Sequence, residues 1–84
     1  MSGGTDDRFW PEVDELDLCG LKCPLPALRT RRAVERMSPG ERVVVRATDP
    51  LSVIDVPHAA GIAGGRVVRE TSEGRVRSFW IERS

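Results

Sequence analysis

The sequence predicts an α/β two-layer sandwich, with strands and helices in the order β-α-β-α-β-β and two helices on one face of a mixed four-stranded sheet. Three observations predict it. Two proline-opened segments carry helical patterning, each follows a strand-like run, and the C-terminal stretch reads as two strands about a short turn. With only two helices to cover it, a single sheet receives both on the same face.

The elements follow in order. In "VDELDLCG", Val13, Leu16 and Leu18 fit a short strand that ends near Cys19, and Gly20 breaks it. After Cys23, Pro24 and Pro26 open a helix, where proline is tolerated because first-turn N–H groups have no intrahelical acceptor. Ala27, Thr30, Val34 and Met37 recur at 3-4-3 spacing and form the expected buried stripe, with Leu28 beside it. The arginines fall mainly off that stripe, and "SPG" at Ser38 to Gly40 stops the helix.

"ERVVVRA" is the second strand, its three consecutive valines suiting a strand covered on both sides. Asp49-Pro50 reads as an N-cap followed by proline at the first helical position. The second helix then runs toward Ala63, with Pro57 expected to kink it or divide it into two pieces, and Gly64-Gly65 ends it. The remaining strands turn around Ser72, Glu73 and Gly74. The last has two competing inward faces, Val76 and Trp80 on one parity and Phe79 and Ile81 on the other; a bulge or burial of both faces would reconcile them. The first strand-helix-strand unit is expected to be a right-handed parallel crossover, and the final pair an antiparallel hairpin.

At 84 residues the chain has the length of one domain. A domain this small buries only ~60–65% of its unfolded surface. Residues 1–12 read as a flexible tail in which Phe9 and Trp10 are the apolar anchors, and residues 13–84 as the domain. The N-terminal stretch lacks the basic-then-apolar order of a signal peptide, and no apolar run approaches the ~18–20 residues of a membrane span. Two cysteines are too few for a disulfide framework, so a free thiol in the reducing cytoplasm is the expectation.

Formal charge is balanced, with 13 basic and 13 acidic residues. That argues against a dedicated nucleic-acid binder, which carries a basic surplus. The charge is nonetheless uneven. Acids crowd the region before Cys19, and Arg29, Arg31, Arg32 and Arg36 crowd the first helix. A solvated helix face is the plainer reading of those arginines, and a docking face for an acidic partner or an RNA backbone the sharper one.

The chemistry centres on "DLCGLKCPLP". Cys23 falls where a loop meets a helix start, and Lys22 precedes it. A helix N-terminus and an adjacent cation both favour thiolate over thiol. Pro24 and Pro26 remove two donors from that terminus, so only a modest lowering of the thiol pKa is expected, with the N–H groups of Leu25 and Ala27 left to assist. The prolines also stiffen the chain, holding the sulfur on a rigid corner between Leu21 and Leu25. Such a corner suits a sulfur handed between proteins better than chemistry in a deep pocket.

Other chemistries find little support. The single histidine, His58, is expected at the surface or helix edge, and not as a base for Cys23. Cys19 and Cys23 are four apart, which is neither the paired ligand pattern of zinc sites nor the C-x-x-C of thioredoxin-like proteins. Gly61, Gly64 and Gly65 do not follow a strand, so they make no nucleotide-binding loop. Cys19 is read chiefly as structural, with a resolving thiol as the lesser alternative.

Taken together, "LDLCGLKCPLPALRTRRAVERMSPGE", "ATDPLSVIDVP" and "GGRVVRETSEGRVRSFWIER" resemble the TusA-like (SirA/YhhP-type) sulfur carrier family over roughly residues 15 to 83. The resemblance implies a fold similar to the C-terminal domain of bacterial translation initiation factor three. It implies sulfur relay, with Cys23 accepting sulfane sulfur as a persulfide, and Gly20, Leu21, Lys22, Pro24 and Pro26 supporting it in the motif. Asp49, Pro50, Asp55 and Pro57 match the second segment and are carried over as structural. The implied donors are a cysteine desulfurase or a rhodanese-like protein. The implied acceptors lead to tRNA thiolation, molybdenum cofactor synthesis or sulfur oxidation. No metal and no organic cofactor is expected, and a monomer fits a transiently docking carrier. Cys19 stands where the family does not require cysteine. Two alternatives remain: a non-catalytic regulatory interaction module of the same fold, and a small thiol redox protein using Cys19 and Cys23.

Overall fold

The computed structural model describes residues 13–84; the tail over 1–12, with Phe9 and Trp10, lies outside the described residues. The elements are β1 (Asp14–Leu18), α1 (Leu25–Glu35), β2 (Arg42–Ala47), α2 (Ser52–Ile62), β3 (Gly65–Glu73) and β4 (Val76–Arg83). They form one sheet in the order β1-β2-β4-β3. β1 pairs parallel with β2, while β4 runs antiparallel to both β2 and β3.

The principal core lies between the sheet and the helices. Leu18, Val43, Val45, Ala47, Phe79 and Ile81 from the strands meet Val34 of α1 and Val56 and Ala60 of α2, with Ala63 just beyond. Burying each of the larger ones, the Val, Leu, Ile and Phe side chains, contributes about 1.5–3 kcal/mol before entropy is counted.

The conflicting parity of β4 is resolved by burial on both faces. Phe79 and Ile81 point into the helical layer, while Trp80, 1% exposed, packs with Val44 on the other side, where Val13 also lies. The guanidinium of Arg69 sits 5.6 Å from the centre of the Trp80 ring. A register shift between Val67 and Arg69 inserts an extra residue into β3, so that Arg69 comes opposite Trp80.

Both helices depart from expectation in detail. On α1 the buried line is Pro26, Thr30 and Val34, and Met37 packs against the core after the helix ends. Leu28 is 55% exposed, because steps of four from Pro26 carry the buried line away from it. The second helix starts at Ser52, not immediately after Asp49. Asp49 organises the preceding turn instead: its Oδ1 accepts the Leu51 amide at 2.9 Å, and its carbonyl accepts the amide of Ser52 at 2.9 Å and the hydroxyl of Ser52 at 2.6 Å. Pro57 does not divide α2, which runs through it as one element. Proline here deletes a single backbone donor in a helix whose buried residues Val56, Ala59 and Ala60 hold it to the core.

Candidate functional site

The site begins where β1 ends. Leu18 is buried, and the chain then turns outward through Cys19 and Gly20. Asp17 Oδ1 accepts the Cys19 amide at 3.0 Å, and the Leu21 amide returns to the Leu18 carbonyl at 3.2 Å. Gly20 has φ +87°, a left-handed conformation that other residues adopt only with strain. Its amide donates to Thr48 Oγ1 at 2.8 Å, which ties this turn to the loop after β2.

Lys22 to Leu25 closes a second tight turn. The Leu25 amide donates to the Lys22 carbonyl at 2.8 Å, and the Cys23–Pro24 peptide within the turn is cis. Pro24 is the N-cap of α1, and its carbonyl accepts the Leu28 amide. Pro26 is buried beneath the helix. The two prolines therefore act differently: Pro24 shapes the corner and Pro26 anchors it.

Cys23 itself is exposed and its thiol is free. Its amide donates to Asp49 Oδ2, which bridges the two loops. Its Sγ donates to Asp55 Oδ2 at 3.2 Å. The sulfur thus stands in a surface recess lined by Leu21, Lys22, Thr48, Asp49 and Pro50, with an α2 carboxylate as its direct partner. A larger recess lies between β1 and the end of α1, lined by Leu16, Met37, Arg36 and Glu41; it contains no cysteine or histidine and has no evident part in this chemistry.

The electrostatics overturn the expected lowering of the Cys23 pKa. The hydrogen bond to Asp55 pushes the thiol above its ordinary value, reinforced by partial desolvation and by the charges of Asp55 and Asp49. The helix terminus does not counter this, because α1 begins two residues later and the Leu25 amide is committed to the Lys22 carbonyl. Asp49 is held below the usual carboxylate range by the amides of Leu51 and Cys23, and Lys22 adds a favourable charge to it. Lys22 therefore acts on the carboxylate more than on the sulfur.

Cys19, also exposed and free, has its thiol raised by desolvation first and by Asp17 second. His58 is exposed on α2. Among the described residues, no three His, Cys, Asp or Glu side chains are grouped to hold a metal ion. No helix there is long and apolar enough to cross a membrane.

Gly20, Leu21, Lys22, Cys23 and Pro24 thus come together at one corner. The residue that sequence reasoning undervalued is Asp55, taken as structural. The only available signal was its place in "DPLSVIDVP", four residues into the helix that Asp49 introduces. Its contact with Cys23 spans 32 positions and depends on how α1 and α2 pack together.

Comparison with known proteins agrees with this geometry. The family model described as Sulfurtransferase TusA matches residues 14–83. The chain is 41% identical over 70 residues to the sulfur carrier protein TusA of Allochromatium vinosum, covering 83% of this chain and 92% of the relative. It is 34% identical over 68 residues to the YrkI protein of Bacillus subtilis, covering 81% and 91% respectively. Matches that span the sheet, both helices and the cysteine corner leave one conclusion: the chain belongs to the TusA sulfurtransferase family.

Proposed function

We propose that this protein is a sulfur carrier that holds sulfane sulfur as a persulfide on Cys23 and relays it between two protein partners. The observation that carries the reading is the placement of the Cys23 thiol, free and exposed on a proline-stiffened corner directly before α1. A sulfur so placed is reachable by a partner's active site without any opening of the fold. Gly20 supplies the backbone turn, Leu21 and Lys22 flank the sulfur, and Pro24 and Pro26 keep the corner in place.

The surroundings favour docking. Leu25 and Leu28 on α1, and Leu51 and Ile54 at the start of α2, are exposed apolar residues. Leu25 lies two residues from Cys23 in sequence, and Ile54 adjoins Asp55, whose carboxylate meets the sulfur. Exposed apolar groups beside a small reactive site are the feature a transient partner covers. Arg29 and Arg32 extend this face with positive charge suited to an acidic patch. A cysteine desulfurase or rhodanese-like protein is the donor this reading requires, with a downstream thiol-bearing protein as acceptor.

The test is direct. The protein is incubated with a cysteine desulfurase and cysteine, and its intact mass is measured. One added sulfur atom, lost in Cys23→Ala and retained in Cys19→Ala, is the expected result. Sulfur that remains in Cys23→Ala would refute the assignment.

A further inference from the structure

Two carboxylates act on Cys23. Asp55 accepts from its thiol at 3.2 Å, and Asp49 accepts from its amide. The other charged group at this corner, Lys22, exerts its effect on Asp49. This arrangement treats the empty and the loaded cysteine differently. An empty thiol has a proton to give to Asp55. A persulfide is more acidic than its parent thiol, because the adjoining sulfur disperses the charge, so at neutral pH it is an anion without that proton. The carboxylate that bonds the first repels the second.

Resting on the persulfide reading above, we propose that Asp55 biases Cys23 toward giving up its sulfur, by holding the empty thiol and disfavouring the loaded anion. The exchange is R–S–S⁻ + Cys23–SH ⇌ R–SH + Cys23–S–S⁻. In the forward direction the Cys23 sulfur forms a bond to the sulfane sulfur of the donor, the donor's own S–S bond breaks, and the departing thiolate keeps that electron pair and takes the proton Cys23 releases. Sulfane sulfur changes hands without net oxidation or reduction. Asp55 shifts this equilibrium to the left when the partner is a donor and speeds emptying when the partner is an acceptor. The carrier is thereby tuned for delivery more than for storage.

The test uses the full chain carrying Cys19→Ser, equilibrated with a fixed ratio of glutathione persulfide to glutathione. The mixture is trapped with iodoacetamide, and the loaded fraction is read by intact mass, with circular dichroism confirming the fold. Asp55→Asn removes the charge and is expected to raise the loaded-to-empty ratio about fivefold at neutral pH, the scale for one unit charge near another at an exposed position. Asp55→Glu keeps the charge and should stay near the unsubstituted ratio. The gap between Asp55→Asn and the unsubstituted protein should narrow as added salt screens the charge. Equal ratios at neutral pH, or Asp55→Glu behaving as Asp55→Asn, would overturn the inference. Sulfur on Cys23 without dependence on Asp55 defeats this inference alone, whereas no sulfur on Cys23 from either glutathione persulfide or a desulfurase defeats the carrier reading beneath it.

Discussion

The Cys23 thiol and the Asp55 carboxylate meet at 3.2 Å, one on the turn before α1 and the other in the first turn of α2. The contact joins two segments that are separate in sequence, and it makes the Cys23 sulfur a hydrogen-bond donor in its thiol form.

A resting donor is a slow nucleophile. With its pKa raised, less of Cys23 is thiolate at neutral pH than in an ordinary exposed cysteine. In a Cys19→Ser background, alkylation by iodoacetamide should follow a pH profile whose midpoint lies above that of a model thiol. Asp55→Asn should move the midpoint down and quicken alkylation at neutral pH several-fold. The same raised pKa has a consequence for stability. The proton is held more tightly folded than unfolded, so the contribution is complete below the unfolded thiol pKa and is lost as pH rises through the folded one. Thermal scans should therefore show Cys23→Ala losing less stability than the unsubstituted protein on moving into alkaline buffer. A midpoint at or below the model thiol would contradict the arrangement.

The limits of sequence reasoning are visible at this same corner. Cys23, Pro24 and Pro26 were legible because proline acts locally, through its fixed φ and missing N–H. The carboxylate that sets the thiol's acidity was not, because it arrives through helix packing across 32 positions. Helix-terminus reasoning also placed Cys23 too close to the dipole, as α1 starts at Leu25 and its first amide is already engaged. On β4 the conflict between Trp80 and Phe79 with Ile81 was plain from alternation alone. Its resolution required knowing that Val44, whose cross-strand partner on β4 is Trp80, also faces away from the helices.

Thr30 offers a stabilising substitution. It lies fully buried on α1 between Pro26 and Val34, and its hydroxyl has no hydrogen-bond partner. Valine has nearly the same shape and no polar atom to desolvate. Thr30→Val should stabilise the fold by about 1 kcal/mol, since an unpaired buried hydroxyl costs on this order. In a domain this size that corresponds to a rise in Tm of roughly 4–8 °C. An unchanged or lower Tm would mean the hydroxyl finds a partner in solution.

Two glycines three positions apart should respond to alanine with opposite signs. Gly64 has φ +97°, and a Cβ there would fall 2.1 Å from Arg83 Nη1. That guanidinium is itself engaged, with Nη1 donating to the Gly64 carbonyl and Nε to the Met37 carbonyl. Gly64→Ala should cost at least about 1–2 kcal/mol from the left-handed backbone alone. Gly61 lies within α2, where a Cβ meets nothing within 4 Å. Gly61→Ala should stabilise by up to about 1 kcal/mol through helix propensity. Paired urea titrations would check both signs, and a Gly64→Ala protein as stable as the original would contradict both the left-handed backbone at Gly64 and its close approach to Arg83.

Charge on α1 separates docking from folding. Arg31 is committed to Glu35 one turn on, at 3.1 Å, whereas Arg29 and Arg32 form no ion pair with the described residues. If those two meet an acidic partner surface, Arg29→Glu or Arg32→Glu should slow sulfur transfer between carrier and desulfurase severalfold, chiefly through the association rate. The loss should be largest at low ionic strength and shrink as salt screens the encounter, while Tm stays within a degree or two. Arg31→Glu serves as the comparison, because it breaks an exposed pair worth only ~0.3–0.5 kcal/mol within the helix. Transfer rates measured across a salt series distinguish the two accounts. A reversal at Arg29 and Arg32 that leaves the rate and its salt slope unchanged would assign both side chains to solvent and move the docking contact to the apolar residues Leu25, Leu28 and Ile54.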